Sequence, residues 1–129
     1  MGKTMEKMII GNTTQKGRGV FAQRPLLKGE LLEIVPVIVI PEKERTFIDQ
    51  TVLTNYYYEW GEYGIALGTG FALMYNHSYY PNAIYVKKIE QKVIEYFVWR
   101  NIEAGEEITI NYNSGNPEDL TPLWFNTVK

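Results

Sequence analysis

Cysteine is absent from the 129 residues, and histidine occurs once, at position 77. The first absence removes disulfides, thiolate nucleophiles and cysteine-ligated zinc. The second removes any two-histidine metal centre, so no metal site is expected. A basic excess is missing too: 13 Lys and Arg stand against 15 Asp and Glu, for a net charge of −2. A phosphate backbone selects basic surfaces, so direct nucleic-acid binding is not expected. No apolar run approaches the length of a membrane span, and the one near the N-terminus is too short for a signal peptide. The expectation is a soluble, cytoplasmic protein with no membrane partner. Linkers, solenoid repeats and low-complexity segments are lacking as well, and the length suits a single domain over 1–129.

Ten tyrosines and three tryptophans are many for this length, and they favour strands and stacking surfaces. Short apolar runs separated by glycine turns dominate. Candidate strands are Lys7 to Asn12, Val20 to Ala22, Leu31 to Ile40, Asn55 to Trp60, Ile65 to Leu67, Ala83 to Glu90, Val93 to Asn101 and Glu107 to Tyr112. Pro36 is expected to break the third, because proline cannot donate to a ladder. The charged stretch from Pro41 to Gln50 suggests one or two helical turns. In the last strand Ile108, Ile110 and Tyr112 share one face, with Thr109 and Asn111 on the other. The class is mainly β.

The chain centres on Met74 to Ala83, a polar stretch with apolar residues on both sides. Asn76, Ser78 and Asn82 compete with the backbone for its own hydrogen bonds, and Pro81 removes a donor. An ordered loop threaded through the core is expected, with its polar groups held by protein or ligand partners. Upstream, Gly17 and Gly19 flank Arg18, a spacing that permits positive φ and close backbone approach, or serves a plain hairpin turn.

Four blocks in order resemble the SET-domain lysine methyltransferases: Lys16-Gly17-Arg18-Gly19-Val20-Phe21, Leu27-Lys28-Gly29-Glu30, Asn76-His77-Ser78-Tyr79-Tyr80-Pro81-Asn82, and Gly105-Glu106-Glu107-Ile108-Thr109-Ile110-Asn111-Tyr112. Together they span nearly the whole chain, at the length of minimal viral and bacterial members without flanking zinc clusters. The resemblance implies a β-clip of small curved sheets with a C-terminal pseudoknot and little helix. It implies S-adenosylmethionine as cofactor, bound through Lys16, Gly17, Arg18, Gly19, Asn76 and His77. Tyr112 is then the catalytic tyrosine. With no cysteine-rich tail, Trp124 and Phe125 are expected to fold across the cofactor, within a lid over 112–129. Tyr112, Ile110 and Trp124 are expected along the substrate channel, with Ile110 limiting the number of methyl groups.

Methyl transfer from a sulfonium to an amine is an in-line displacement that needs alignment and a neutral amine. Neutralising a free lysine at pH 7 costs roughly 4.6 kcal/mol, which an aromatic channel and a nearby cation can offset. No histidine base is then needed, and the side chain of His77 is expected to be scaffold, with Asn76 as the ligand contact and Asn82 as a brace. Arg18 either pairs with the cofactor carboxylate or is a solvated turn residue. Tyrosines 56, 57, 58, 63, 75, 79 and 80 are unranked candidates for the channel wall. Acidic residues at 42, 44, 49, 59 and 62 suit a basic, lysine-bearing protein or peptide substrate. Minimal relatives pair through exposed strands, which leaves a homodimer open. The alternative is a non-catalytic SET-type module that holds cofactor or peptide without turnover; a small scaffold whose glycines only make turns is a third.

Overall fold

The computed structural model describes residues 6–113 and 117–118. Trp124, Phe125 and most of the expected lid lie outside them. The described fold is mainly β. Strands β1 (Met8–Asn12) and β2 (Arg18–Ala22) form an antiparallel hairpin, with Gly11 opposite Gly19. Its turn is closed by Thr13, whose N–H and Oγ1 both donate to the Gly17 carbonyl, while Gly17 takes a φ of 72°.

Strand β3 (Leu31–Pro41) runs unbroken through Pro36, against the expected interruption. The reason is a change of partner. Residues 31–36 pair with β8 (Val93–Val98) on one side, and residues 37–41 pair with β5 (Gly64–Gly68) on the other. The Pro36 carbonyl accepts from Thr69 on the β5 side. N–H and C=O of one strand residue point the same way, so the donor that proline lacks falls just beyond the last β5 pair, Val37 with Gly68, where none is due.

A 3-10 turn, Glu42–Glu44, leads into the one-turn helix α1 (Arg45–Ile48), as the charge pattern suggested. The strand expected over Asn55 to Trp60 shrinks to β4 (Tyr58–Glu59). Thr51 caps a 3-10 turn over Val52–Asn55 by accepting from the Leu53 N–H, and only Tyr58 and Glu59 reach partners in β5 (Gly64–Gly68). The central stretch is likewise not all loop. Asn76 and His77 form β6 (Asn76–His77), running parallel to β9 (Glu107–Ile110) in the register Asn76 with Thr109 and His77 with Ile110.

Strands β7 (Ala83–Lys88) and β8 (Val93–Val98) make the expected hairpin. β9 ends two residues before Tyr112, because Asn111 Oδ1 accepts from the Asn113 N–H and turns the chain. Ile108 and Ile110 are buried as the alternation required, but Asn111 is buried too.

Two sheets result, in the orders β1-β2-β9-β6 and β4-β5-β3-β8-β7. Insertion of β9 between β2 and the earlier β6 is the crossing that a C-terminal pseudoknot requires. The core between the sheets holds Trp60, Tyr75, Tyr96, Ile94 and Ile108, all fully buried. Each such side chain contributes about 1.5–3 kcal/mol on leaving water.

Candidate active site

Asn76 ties three distant segments together. Its side chain is 1% exposed, and Nδ2 donates to the Arg18 carbonyl at 2.9 Å and to Glu107 Oε2 at 2.8 Å. Gly19 lies against this bridge: a Cβ there would stand 2.9 Å from Asn76 Nδ2 and 2.5 Å from Glu107 Oε2. The two glycines thus do different work, Gly17 supplying the positive φ and Gly19 the close approach. Lys16 Nζ donates to the His77 carbonyl at 2.8 Å. The result is a cleft of about 260 Å³ lined by Lys16, Gly17, Arg18 and Asn76 on one side and by Tyr56 and Leu73 on the other. Its charged lining among the described residues is cationic, which suits a ligand with a carboxylate.

A second cleft, of about 290 Å³, is walled by Tyr56, Tyr57, Tyr58, Tyr75, Tyr85 and Tyr112. The two clefts share Tyr56 and Leu73. Tyr112 is fixed at several points. Its Oη donates to the Tyr75 carbonyl at 2.7 Å, its N–H donates to His77 Nδ1 at 3.0 Å, and its carbonyl accepts from Tyr85 Oη at 3.2 Å. Burial first, then the neighbouring Tyr56 and Glu107, push its phenol above the ordinary tyrosine range, so it stays protonated at neutral pH. Tyr58 shares a 2.7 Å hydrogen bond with the Tyr96 hydroxyl and donates to the Ala72 carbonyl. Lys87 also lines this cleft, with Nζ on the Glu59 carbonyl at 2.9 Å. Burial holds its ammonium below the usual lysine value.

His77 sits behind both clefts. Nδ1 accepts from the Tyr112 N–H, so the neutral ring carries its proton on Nε2, which is buried and without a partner among the described residues. Burial, followed by the Lys16 charge, pushes the imidazole down to about 4. The ring packs edge-on against Tyr79 at 4.3 Å and tilted against Tyr112 at 5.2 Å. Asn82 braces the last strand, its Nδ2 donating to the Glu107 carbonyl and its Oδ1 accepting from the Thr109 N–H.

The structure therefore brings together Lys16, Gly17, Arg18 and Asn76 at one cleft, with Gly19 and His77 directly behind them. Tyr112 stands at the other. Ile110, expected along the substrate channel, is instead fully buried in the core and lines neither cleft, because it lies on the inward face of β9. Of the unranked tyrosines, 56, 57, 58 and 75 form wall, whereas 63, 79 and 80 do not. Tyr85, which is not among those candidates, also forms wall, since its alternation with buried Ala83 in β7 points it inward. Leu73, Lys87 and Glu107 carried no local signal. Among the described residues no cluster of His, Cys, Asp or Glu could hold a metal, and no helix is long and apolar enough to cross a membrane.

Residues 17–113 match the family model of the SET domain, and the chain belongs to that family. It is similar to a Schizosaccharomyces pombe protein, the histone-lysine N-methyltransferase described as H3 lysine-37 specific, with 38% identity over 119 residues that cover 90% of this chain and 75% of that one. It is also similar to the Caenorhabditis elegans histone-lysine N-methyltransferase mes-4, at 29% identity, covering 93% of this chain and 16% of that protein. Among solved structures, a Plasmodium falciparum protein described as a histone methyltransferase superposes with a TM-score of 0.69 at 33% identity, over 85% of this chain and 96% of that one. A Chaetomium thermophilum Polycomb Repressive Complex 2 bound to GSK126 shares the fold alone, with a TM-score of 0.69 at 20% identity over 85% of this chain and 16% of the other.

Proposed function

We propose that the protein is an S-adenosylmethionine-dependent protein-lysine methyltransferase. One observation carries the reading: a cationic, glycine-edged cleft and a tyrosine-walled cleft adjoin along Tyr56 and Leu73. Lys16, Gly17, Arg18 and Asn76 would hold the cofactor, with the two cations facing its carboxylate. Bound there, the cofactor supplies an electrophilic methyl group. The chain does the rest by excluding water and orienting an amine. Six tyrosine rings desolvate the second cleft, and the depressed ammonium of Lys87 within it supports a shift of an incoming lysine toward the neutral form. Tyr112 spends its hydroxyl proton on the Tyr75 carbonyl, so its oxygen serves an amine as a hydrogen-bond acceptor, not as a base.

The names of the similar proteins favour a histone as the substrate class, and that of the Schizosaccharomyces pombe protein favours histone H3. Such a substrate would take the enzyme to the nucleus and not keep it in the cytoplasm, which the distribution of a tagged chain decides. We take 1–129 as one catalytic domain with 112–129 as its lid and Trp124 and Phe125 across the cofactor; Trp124→Ala should then weaken cofactor binding.

The test is incubation with S-adenosylmethionine and histone H3 or a lysine-peptide library, followed by mass spectrometry. Methylated lysine is the expected product. Cofactor binding without any methylated product would favour the non-catalytic module.

A further inference from the structure

Strand β3 carries a carboxylate where the core would favour a hydrocarbon. Glu33 shares the inward face with Val35 and stands opposite the fully buried Tyr96. Burial raises its carboxyl above the ordinary range, and no cation pairs with it among the described residues. Its partners are neutral donors: Oε2 accepts from Tyr75 Oη at 2.6 Å, and Oε1 accepts from the Phe71 N–H at 3.3 Å. Gly70, at a φ of 59°, leaves the room, since a Cβ there would stand 2.5 Å from Glu33 Oε1. A buried carboxylate is weak support for stability, so its place asks for another reason.

The segment it grips supplies one. Leu73 faces both clefts, Ala72 and Tyr75 line the tyrosine cleft, and Met74 lines the cationic one. The carbonyls of Ala72 and Tyr75 receive the Tyr58 and Tyr112 hydroxyls. Outside these contacts, the segment's hydrogen bonds among the described residues are those of its own turn, Ala72 N–H to Thr69 and Met74 N–H to Phe71, and a long contact from Tyr75 Oη to Met8 Sδ at 3.5 Å.

We propose that Glu33 is a positioning residue: by holding the turn of residues 70–75 at both ends, its carboxylate sets the wall between the two clefts and the carbonyl on which Tyr112 rests. It touches neither cleft itself. The kinetic consequence rests on the functional reading above, whereas the structural one does not.

The experiment compares Glu33→Ala, Glu33→Gln and Tyr75→Phe with the parent by hydrogen exchange and by methyl-transfer kinetics with S-adenosylmethionine and a lysine peptide. Glu33→Ala and Tyr75→Phe should speed amide exchange over residues 69–77 by about tenfold, the scale of one lost hydrogen bond to a carboxylate. The β7–β8 hairpin should exchange as in the parent. KM should rise for both substrates together, again by about tenfold, because one wall serves both. Glu33→Gln keeps an acceptor for the Phe71 N–H and offers its amide nitrogen as a donor to Tyr75 Oη, which accepts in place of donating, so it should stay within about threefold. Exchange that rises evenly along the chain, or unchanged KM values beside a lowered melting temperature, would overturn the proposal. If Glu33→Ala does not fold, Tyr75→Phe decides, since it keeps the ring packed 4.7 Å from Tyr96 and removes one donor. A parent that transfers no methyl group condemns the functional reading and leaves the exchange result to judge Glu33.

Discussion

The hydroxyl of Tyr112 donates to the Tyr75 carbonyl across 2.7 Å, although the residues are 37 positions apart. Removing it should cost the fold little, about 0.5–1.5 kcal/mol for one hydrogen bond. It should cost the reaction much more. Tyr112→Phe is expected to bind S-adenosylmethionine like the parent and to lose about 10² to 10³ in kcat, the scale of one preorganised polar group. Single-turnover rates and calorimetric titration check both halves. A kcat within threefold of the parent would remove Tyr112 from the chemistry.

Gly19→Ala places a methyl group against the Asn76 amide and the Glu107 carboxylate. One of these must move, and both are held by the bridge to Arg18. The expected result is a stability loss of about 1–3 kcal/mol from overpacking. Cofactor affinity should fall at least about tenfold as Asn76 leaves its place, a change worth about 1.4 kcal/mol. Urea denaturation and calorimetry measure the two effects. Unchanged affinity would mean that Asn76 is not part of the cofactor cleft.

The imidazole of His77 is pushed from 6.5 to about 4 in the folded state. Between those values the unfolded chain binds a proton that the folded chain refuses, so stability rises with pH. The contribution is complete above about pH 6.5 and is lost as pH falls toward 4. His77→Gln should therefore flatten the pH dependence of the urea midpoint in this window, by up to about one proton. Equal slopes for parent and variant would contradict the depressed value.

Arg45 clamps the outer wall of the tyrosine cleft. Its guanidinium meets Glu42 at 2.7 and 2.8 Å and Glu59 at 2.8 Å, and it reaches the Tyr57 hydroxyl at 3.4 Å. Tyr57 in turn donates to Asp49. Exposed ion pairs contribute little, so Arg45→Met should change stability by no more than about 1 kcal/mol. Loosening Tyr57 should raise KM for the peptide by roughly three- to tenfold with cofactor affinity unchanged, a cost of about 1 kcal/mol. Peptide kinetics at two salt concentrations test this, and a selective rise in the cofactor KM would count against it.

What could be read along the chain was whatever depends on neighbours in sequence. The β7–β8 hairpin, the helical turns after Pro41 and the inward Ile108 and Ile110 all follow from local alternation or local turn chemistry. What could not be read depends on partners far away. Pro36 passes through β3 only because the strand changes sheets there, and Asn76 and His77 become strand only because residues 109 and 110 come to lie beside them. Glu33 and Glu107 look like solvent-facing charges in alternating strands until Tyr75 and Asn76 are seen to reach them. The channel tyrosines could not be sorted because several adjoin in sequence while their rings diverge in space. Ile110 follows its alternation onto a face that is core and lines neither of these clefts.

The parallel pairing of β6 with β9 also bears on biosynthesis. As the polypeptide leaves the ribosome, residues 76 and 77 emerge some thirty positions before 109 and 110, the partners they need. Until then Asn76 lacks the Glu107 carboxylate that shares its amide with the Arg18 carbonyl. A nascent chain therefore carries the whole lining of this cleft, all of it at or before residue 76, ahead of the strand that pins Asn76 in place, and the cleft takes its final shape only once β9 has been made.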